Sequence, residues 1–386
     1  MRIENARISP YRLGFRGELG PSPIGSPERE GFILELLSEG GDRGFGEAAP
    51  AWWLGEEGLE TCRRSLLAVV DAIRRDPPEV TVEFEARKAT IGIDAAWLAQ
   101  AGVADAEVSG AARSMSAAAL CAFHTAILDL GSKLRGSGLA VALGCPQTVT
   151  LGTSALVSGN GIAELIPDVT RALDLGYRCL KLKVGHLSPR LDVQRVIALR
   201  RTAGPLAALR LDANRSWDFD TATEVLRSLA AVEPEFVEEP LRKPVPGQLA
   251  LLGKLCGVRL ALDESVVGER DLSGLATAAG SGVVVVIKLA RVGGPIAALG
   301  LARAAEELGH QVVFTDSIES SVGMSATLHC AAAAGCRAAV GLGGSALLRD
   351  DVVSSGRLPR SPTQVPRGPG LGVALPENWA EEAWRV

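Results

Sequence analysis

Two apolar segments carry lysines where burial is expected. In Cys179-Leu180-Lys181-Leu182-Lys183-Val184 the two-residue period of a strand puts Lys181 and Lys183 on one face and Leu180, Leu182 and Val184 on the other. In Val285-Val286-Ile287-Lys288-Leu289 a single lysine interrupts a run that otherwise reads as fully buried. The chain has 33 arginines and only seven lysines, so three lysines in such places stand out. A buried ammonium is costly unless paired, and unlike a guanidinium it can give up its proton and serve as a base. Asp212, Glu238 and Asp263 end the intervening apolar runs, and the steps from Lys183 through these acids to Lys288 are 29, 26, 25 and 25 residues. Taken singly, a strand-end Asp or Glu reads as a helix N-cap, and Lys181-x-Lys183 reads as an exposed edge strand. Taken together, the five positions recur once per strand-helix unit with matching facing. Three hard oxygen ligands with no His or Cys among them suit Mg²⁺, with Mn²⁺ able to take its place.

These residues need a scaffold that sets them side by side. Short β-rich runs recur at 148–151, 179–184, 209–212, 236–237, 260–263, 283–289, 312–315 and 339–341, with helical Ala/Leu/Arg segments such as 162–175, 193–202, 221–232 and 295–308 between them. That alternation predicts an α/β fold with a TIM-type (β/α)8 barrel over about 145–345, whose active site lies at the C-terminal rim. A doubly wound open sheet would alternate in the same way. Residues 1–115 have α+β texture, and the Pro/Gly/Ser-rich tail, 350–386, is expected to pack back on this N-terminal domain.

The motifs Lys181-x-Lys183, Asp212-x-Asn214, Glu238-Glu239-Pro240, Asp263-Glu264-Ser265 and Lys288 resemble, in order and spacing, the muconate-lactonizing branch of the enolase superfamily. Gly44-Phe45-Gly46-Glu47-Ala48-Ala49-Pro50 is similar to that family's capping-domain motif, and 122–130 to the helix leading into its barrel. The resemblance implies a modified TIM-type (β/α)7β barrel over 116–349 with residues 1–115 as its α+β capping domain, and further that Asp212, Glu238 and Asp263 hold Mg²⁺, that Lys183 removes a proton α to a carboxylate with Lys181 tuning it, and that Lys288 faces the substrate's other side. Within the branch, the segments 210–217, 316–323 and 341–345 are similar to o-succinylbenzoate synthases of menaquinone biosynthesis. That similarity implies a dehydratase acting on a small carboxylate, with Arg210, Asn214, Ser317, Ser320, Gly343, Gly344 and Ser345 at the substrate. Dipeptide epimerases, N-acylamino acid racemases and muconate cycloisomerases of the same branch are the alternatives. Epimerases carry Asp-x-Asp on the eighth strand, where this chain has Gly343-Gly344-Ser345, whose N–H groups would suit an anion. Asp316 departs from the small neutral residue expected there, and Trp52-Trp53 is bulky for a capping loop. With 13–23, the two tryptophans would form a lid over the substrate.

Composition narrows the remaining classes. The net charge is −5, with 40 basic and 45 acidic side chains and no basic block, which argues against nucleic acid as a partner. No apolar stretch has the length of a membrane span and the N-terminus lacks a signal-peptide core, so a cytoplasmic protein is expected, and a homo-oligomer is compatible with it. The seven cysteines form no C-x-x-C pair and read as reduced, buried thiols. Gly341-x-Gly343-x-x-Ala346 matches a dinucleotide fingerprint in form, but the 40 residues after Ala346 are too few for the rest of such a domain. A non-catalytic barrel would have no need of buried lysines facing three acids.

Overall fold

The computed structural model describes residues 1–16, 25–54, 57–103, 115–146, 149–243, 245–276, 282–353 and 361–376. Near the N-terminus, β1 (Ile3–Gly14), β2 (Glu28–Ser38) and β3 (Arg43–Ala48) pair antiparallel in that order, followed by helix Leu59–Arg75 and the hairpin of β4 (Thr81–Glu85) and β5 (Lys88–Gly92). The sheet rests on helix Ala117–Leu134. β3 approaches so closely that a Cβ on Gly44 or Gly46 would collide with the carbonyl oxygens of Ala126 or Ala122, so only glycine fits at both positions. The helix begins at Ser116, whose hydroxyl accepts from the Ala119 N–H, and the Glu57 carboxylate takes the N–H groups of Ala117 and Ala118.

After the short β6 (Thr150–Leu151) come eight parallel strands: β7 (Thr153–Val157), β8 (Cys179–Lys183), β9 (Ala208–Asp212), β10 (Phe236–Glu238), β11 (Leu260–Leu262), β12 (Val284–Ile287), β13 (Gln311–Phe314) and β14 (Val340–Gly341). Their order is β13-β12-β11-β10-β9-β8-β7-β14, and a parallel bridge between Thr315 and Gly341 joins the two ends of the sheet. The barrel expected from the alternation is therefore the one observed, and the open-sheet alternative is excluded. Outward-facing Leu180, Leu182, Leu209, Leu211, Val285 and Ile287 pack under the helices, while Phe236, Ala261, Val284, Val286 and Val313 form a separate cluster of buried residues. By strand alternation this second cluster fills the interior.

One strand differs from expectation. Residues 150–151 do form a strand, but β6 pairs antiparallel with β15 (Thr363–Gln364) of the tail, and the first barrel strand lies just beyond it at β7. Thr153 and Ser154 make β7 less apolar than its neighbours, which is why the sequence pattern favours the preceding run. Just before the tail, residues 348–349 pair with the capping sheet, through the Phe15–Leu348 bridge and the Arg349 N–H to the Gly14 carbonyl. Farther on, the tail meets β6 and the 117–134 helix, where the Leu371 N–H donates to Asp129 at 2.7 Å. Among the described residues no helix is long and apolar enough to cross a membrane.

Candidate active site

Register sets the chemistry at the barrel's C-terminal rim. Lys183 pairs with Asp212 and Asp212 with Glu238 across β8, β9 and β10, so the three side chains stand at one level. Lys181 lies two residues deeper and reaches up between two acids, 2.7 Å from Glu238 Oε2 and 2.9 Å from Asp212 Oδ2. Lys183 Nζ donates to Asn214 Oδ1 at 2.7 Å and stands 3.9 Å from Asp212. Asn214 is oriented in turn by donating from Nδ2 to Glu264 Oε1 at 3.1 Å. On the other side, Lys288 pairs with Asp263 Oδ2, and Arg291 NH1 takes Asp263 Oδ1 at 2.6 Å. β8 and β12 are four strands apart in a ring of eight, so Lys183 and Lys288 stand on opposite flanks.

Burial and charge oppose each other at every one of these groups. Burial alone would lower the Lys181 and Lys288 pKa values, but the carboxylates beside them win and hold both above the usual lysine value. Burial likewise works against an ionised Asp263, yet Lys288 and Arg291 bring it down to about 2. Asp212 is lowered against burial by Lys181 and Lys183. Glu238 goes the other way: burial, then the charges of Asp212 and Asp263, push it up to about 8. Its Oε1 and Oε2 of Glu264 are buried without a hydrogen-bond partner. Among the described residues no three carboxylates are drawn around a common point, because the two ammonium groups and Arg291 occupy their oxygens. Orphaned carboxylate oxygens beside clustered acids are nevertheless a donor set that fits a hard divalent cation.

A cavity opens above these groups, lined by Lys181, Lys183, Asn214, Glu238, Glu264 and Lys288 on its floor. Apolar walls come from Trp53, Leu156, Phe236, Val313, Ile318 and Leu347. Of the residues expected at a substrate, Asn214, Arg210, Ser317, Gly343 and Gly344 line this cavity. Arg210 is already engaged, with Glu235 at 2.7 Å and the Ala339 carbonyl at 2.7 Å. Ser320 and Ser345 are not in the lining. Ser320 caps helix Ser321–Ala333 and donates its hydroxyl to Glu47, while the Ser345 hydroxyl donates to the Leu342 carbonyl. Asp263 sits just behind the lining, bound to Lys288.

Asp316 changes the picture at the eighth strand. It lines the cavity and accepts the Ser345 N–H at 3.3 Å, with the backbone N–H groups of Ile318 and Gly344 also favouring its ionised form, so the turn at Gly343-Gly344-Ser345 already faces an anion belonging to the chain. Burial pushes the Asp316 carboxyl up to about 6 against those N–H groups. The glycines have packing reasons: a Cβ on Gly341 would meet the Thr315 side chain at 2.7 Å, and one on Gly343 would meet the Leu156 backbone nitrogen at 2.7 Å. The glycine pattern thus serves barrel closure. Trp53 lines the cavity, and of the expected lid loop, 13–23, residues 17–23 lie outside the described residues. Arg291 was not singled out from sequence, although an arginine three residues after Lys288 in the same apolar run is a usable signal.

Comparisons with known proteins agree with this geometry. A model of the enolase C-terminal domain-like family matches residues 164–379. The L-Lys-D/L-Arg epimerase of Methylococcus capsulatus is 28% identical over 369 residues, 95% of either chain. The o-succinylbenzoate synthase of Thermobifida fusca is 36% identical over 198 residues, 50% of this chain and 60% of that one. In shape, a dipeptide epimerase from Cytophaga hutchinsonii, solved with Mg and the dipeptide D-Ala-L-Val, superposes with a TM-score of 0.81 at 22% identity, over 99% of this chain and 98% of that one. With its barrel, its capping sheet and this match over more than half its length, the chain belongs to the enolase superfamily, as an enzyme of the muconate-lactonizing branch.

Proposed function

We propose that this enzyme removes the proton α to a carboxylate of a small substrate and expels hydroxide from the neighbouring carbon, as an o-succinylbenzoate synthase does with 2-succinyl-6-hydroxy-2,4-cyclohexadiene-1-carboxylate in menaquinone biosynthesis. The observation that carries it is the pair of lysines on opposite flanks of a cavity with apolar walls, where a ring would pack against Trp53, Leu156 and Phe236. Lys183 is the base. Its accessible amine is held toward the cavity by Asn214, itself fixed by Glu264. The C–H bond breaks to Lys183, a C=C bond forms, the C–O bond breaks, and the same ammonium returns its proton to the leaving hydroxide as water. Lys288, kept cationic by Asp263, offsets the negative charge that develops on the substrate carboxylate. Asp212, Glu238 and Asp263 would hold Mg²⁺, which when bound supplies electrophilic stabilisation of that carboxylate.

Asp316 supports a second reading. A carboxyl group facing the cavity beside the eighth strand would suit the cationic end of a dipeptide, and then Lys183 and Lys288 exchange the α-proton from opposite faces and epimerise the substrate. One assay separates the two: purified enzyme with Mg²⁺ is given the cyclohexadiene carboxylate, with ring aromatisation followed by absorbance, and in parallel a panel of dipeptides with and without Lys or Arg in D2O. Aromatisation is the expected result. Deuterium entering a cationic dipeptide without any dehydration would overturn the dehydratase reading in favour of epimerisation.

A further inference from the structure

Arg29 is fully buried, yet its distance in sequence from the barrel rim gives no hint of a role there. It stands in β2 of the capping sheet and donates from Nε to the Ile318 carbonyl at 2.8 Å and from NH2 to the Ser317 carbonyl at 3.4 Å. Its NH1 donates to the carbonyls of Glu30 at 2.8 Å and Pro50 at 3.0 Å. The guanidinium carbon also lies over two indole rings set nearly at right angles to each other, 4.7 Å from the Trp53 ring centre and 5.2 Å from that of Trp52. One planar group therefore grips both sides of the cavity's outer wall, since Trp53, Ser317 and Ile318 all line it. The wall also needs holding. Ile318 has φ +61°, a left-handed conformation that is a true outlier for a β-branched residue and persists only when its surroundings over-determine it.

We infer that Arg29 is a positioning residue that sets substrate fit: it fixes Trp53 and the Ser317–Ile318 backbone relative to each other without touching the reacting atoms. A lysine would keep the charge but lose the fork and the flat face, so it would satisfy one carbonyl or one ring and not both sides. The inference rests on the cavity being where the substrate binds.

The test compares wild type with Arg29→Lys and Arg29→Gln. Three quantities are read: kcat and KM on whichever substrate of the panel the wild type turns over, the thermal midpoint, and acrylamide quenching of tryptophan fluorescence. In Arg29→Lys, KM should rise about tenfold or more while kcat stays within about threefold, and quenching should increase as Trp53 loosens. Arg29→Gln should show the same pattern, larger. A lower midpoint with KM and quenching unchanged would mean Arg29 only stabilises the fold, and would overturn the inference. If the wild type turns over nothing in the panel, the proposed function fails, and quenching still decides on Arg29: unchanged quenching in Arg29→Lys overturns it. Should both variants fail to fold, Trp52→Leu, which takes one ring off the guanidinium and lies outside the cavity lining, must raise KM with an unaltered midpoint, and an unchanged KM would refute the idea.

Discussion

Lys288 is bound to Asp263, with Arg291 on the carboxylate's other oxygen, so its charge is held in place whether or not it moves a proton. An arginine there keeps the charge and cannot act as a base. Lys288→Arg is expected to retain a measurable fraction of any dehydration activity and none of any racemisation, read by assaying both reactions in one preparation. Equal residual activity in the two would contradict the role given to Lys288. Glu238 offers a sharper case, because its Oε1 has no partner while Oε2 takes Lys181. Glu238→Gln keeps the shape and removes the charge, and should cost about a thousandfold in kcat/KM with a rise in the Mg²⁺ concentration needed for half-maximal activity. Unchanged Mg²⁺ dependence would remove Glu238 from the proposed ligand set.

At the scale of elements, the lysine and acid positions were legible because strand period and barrel repeat are both written in the sequence, and Lys183, Asp212 and Glu238 fall in one register as expected. Other features depend on contacts that no local pattern encodes. Arg29 sits in the polar stretch Ser26-Pro27-Glu28-Arg29-Glu30, and one of the carbonyls it serves lies 289 residues away. The N–H groups of the Gly343-Gly344-Ser345 turn looked free for a ligand, because the sequence does not tell that Asp316 folds onto them. Helix Ser321–Ala333 holds another such contact. His329 is wholly buried, accepting the Ala140 N–H on Nδ1 at 3.0 Å, which leaves Nε2 to donate to the Leu371 carbonyl at 3.2 Å. Burial lowers its pKa from 6.5 to about 4. The unfolded chain therefore binds the proton more readily between those values, and stability is lost as pH falls from about 6.5 toward 4. The melting midpoint should drop over that window, and His329→Gln should flatten the slope. An identical slope in the variant would show that other groups govern the acid response.

In the whole molecule, capping sheet and barrel are tied by polar groups of opposite origin. Glu47 of β3 accepts N–H groups from Ser320 and Gly323 at the start of a barrel helix, and also the Tyr11 hydroxyl at 2.5 Å. Asp129 takes the Phe45 N–H from the capping sheet, the Leu371 N–H from the tail and the Lys133 ammonium at 2.6 Å. Removing it leaves the buried Leu371 N–H and the half-buried Phe45 N–H without their acceptor at once. Asp129→Ala is expected to cost about 3 kcal/mol, with far-UV and near-UV signals melting together at a lower temperature. Two separated transitions in the wild type would show that the parts fold independently. These ties matter because the cavity has walls from both parts, Trp53 from one and Ile318 from the other, above a floor that only the barrel supplies. The claim on which the account turns is that Lys183 takes a proton from the carbon next to a carboxylate. The most direct measurement is proton NMR in D2O with Mg²⁺ and the substrate panel, run on wild type and Lys183→Ala. Wild type is expected to consume or deuterate at least one α-carboxylate substrate, and Lys183→Ala to do neither. Exchange or turnover persisting at the wild-type rate in Lys183→Ala would contradict it.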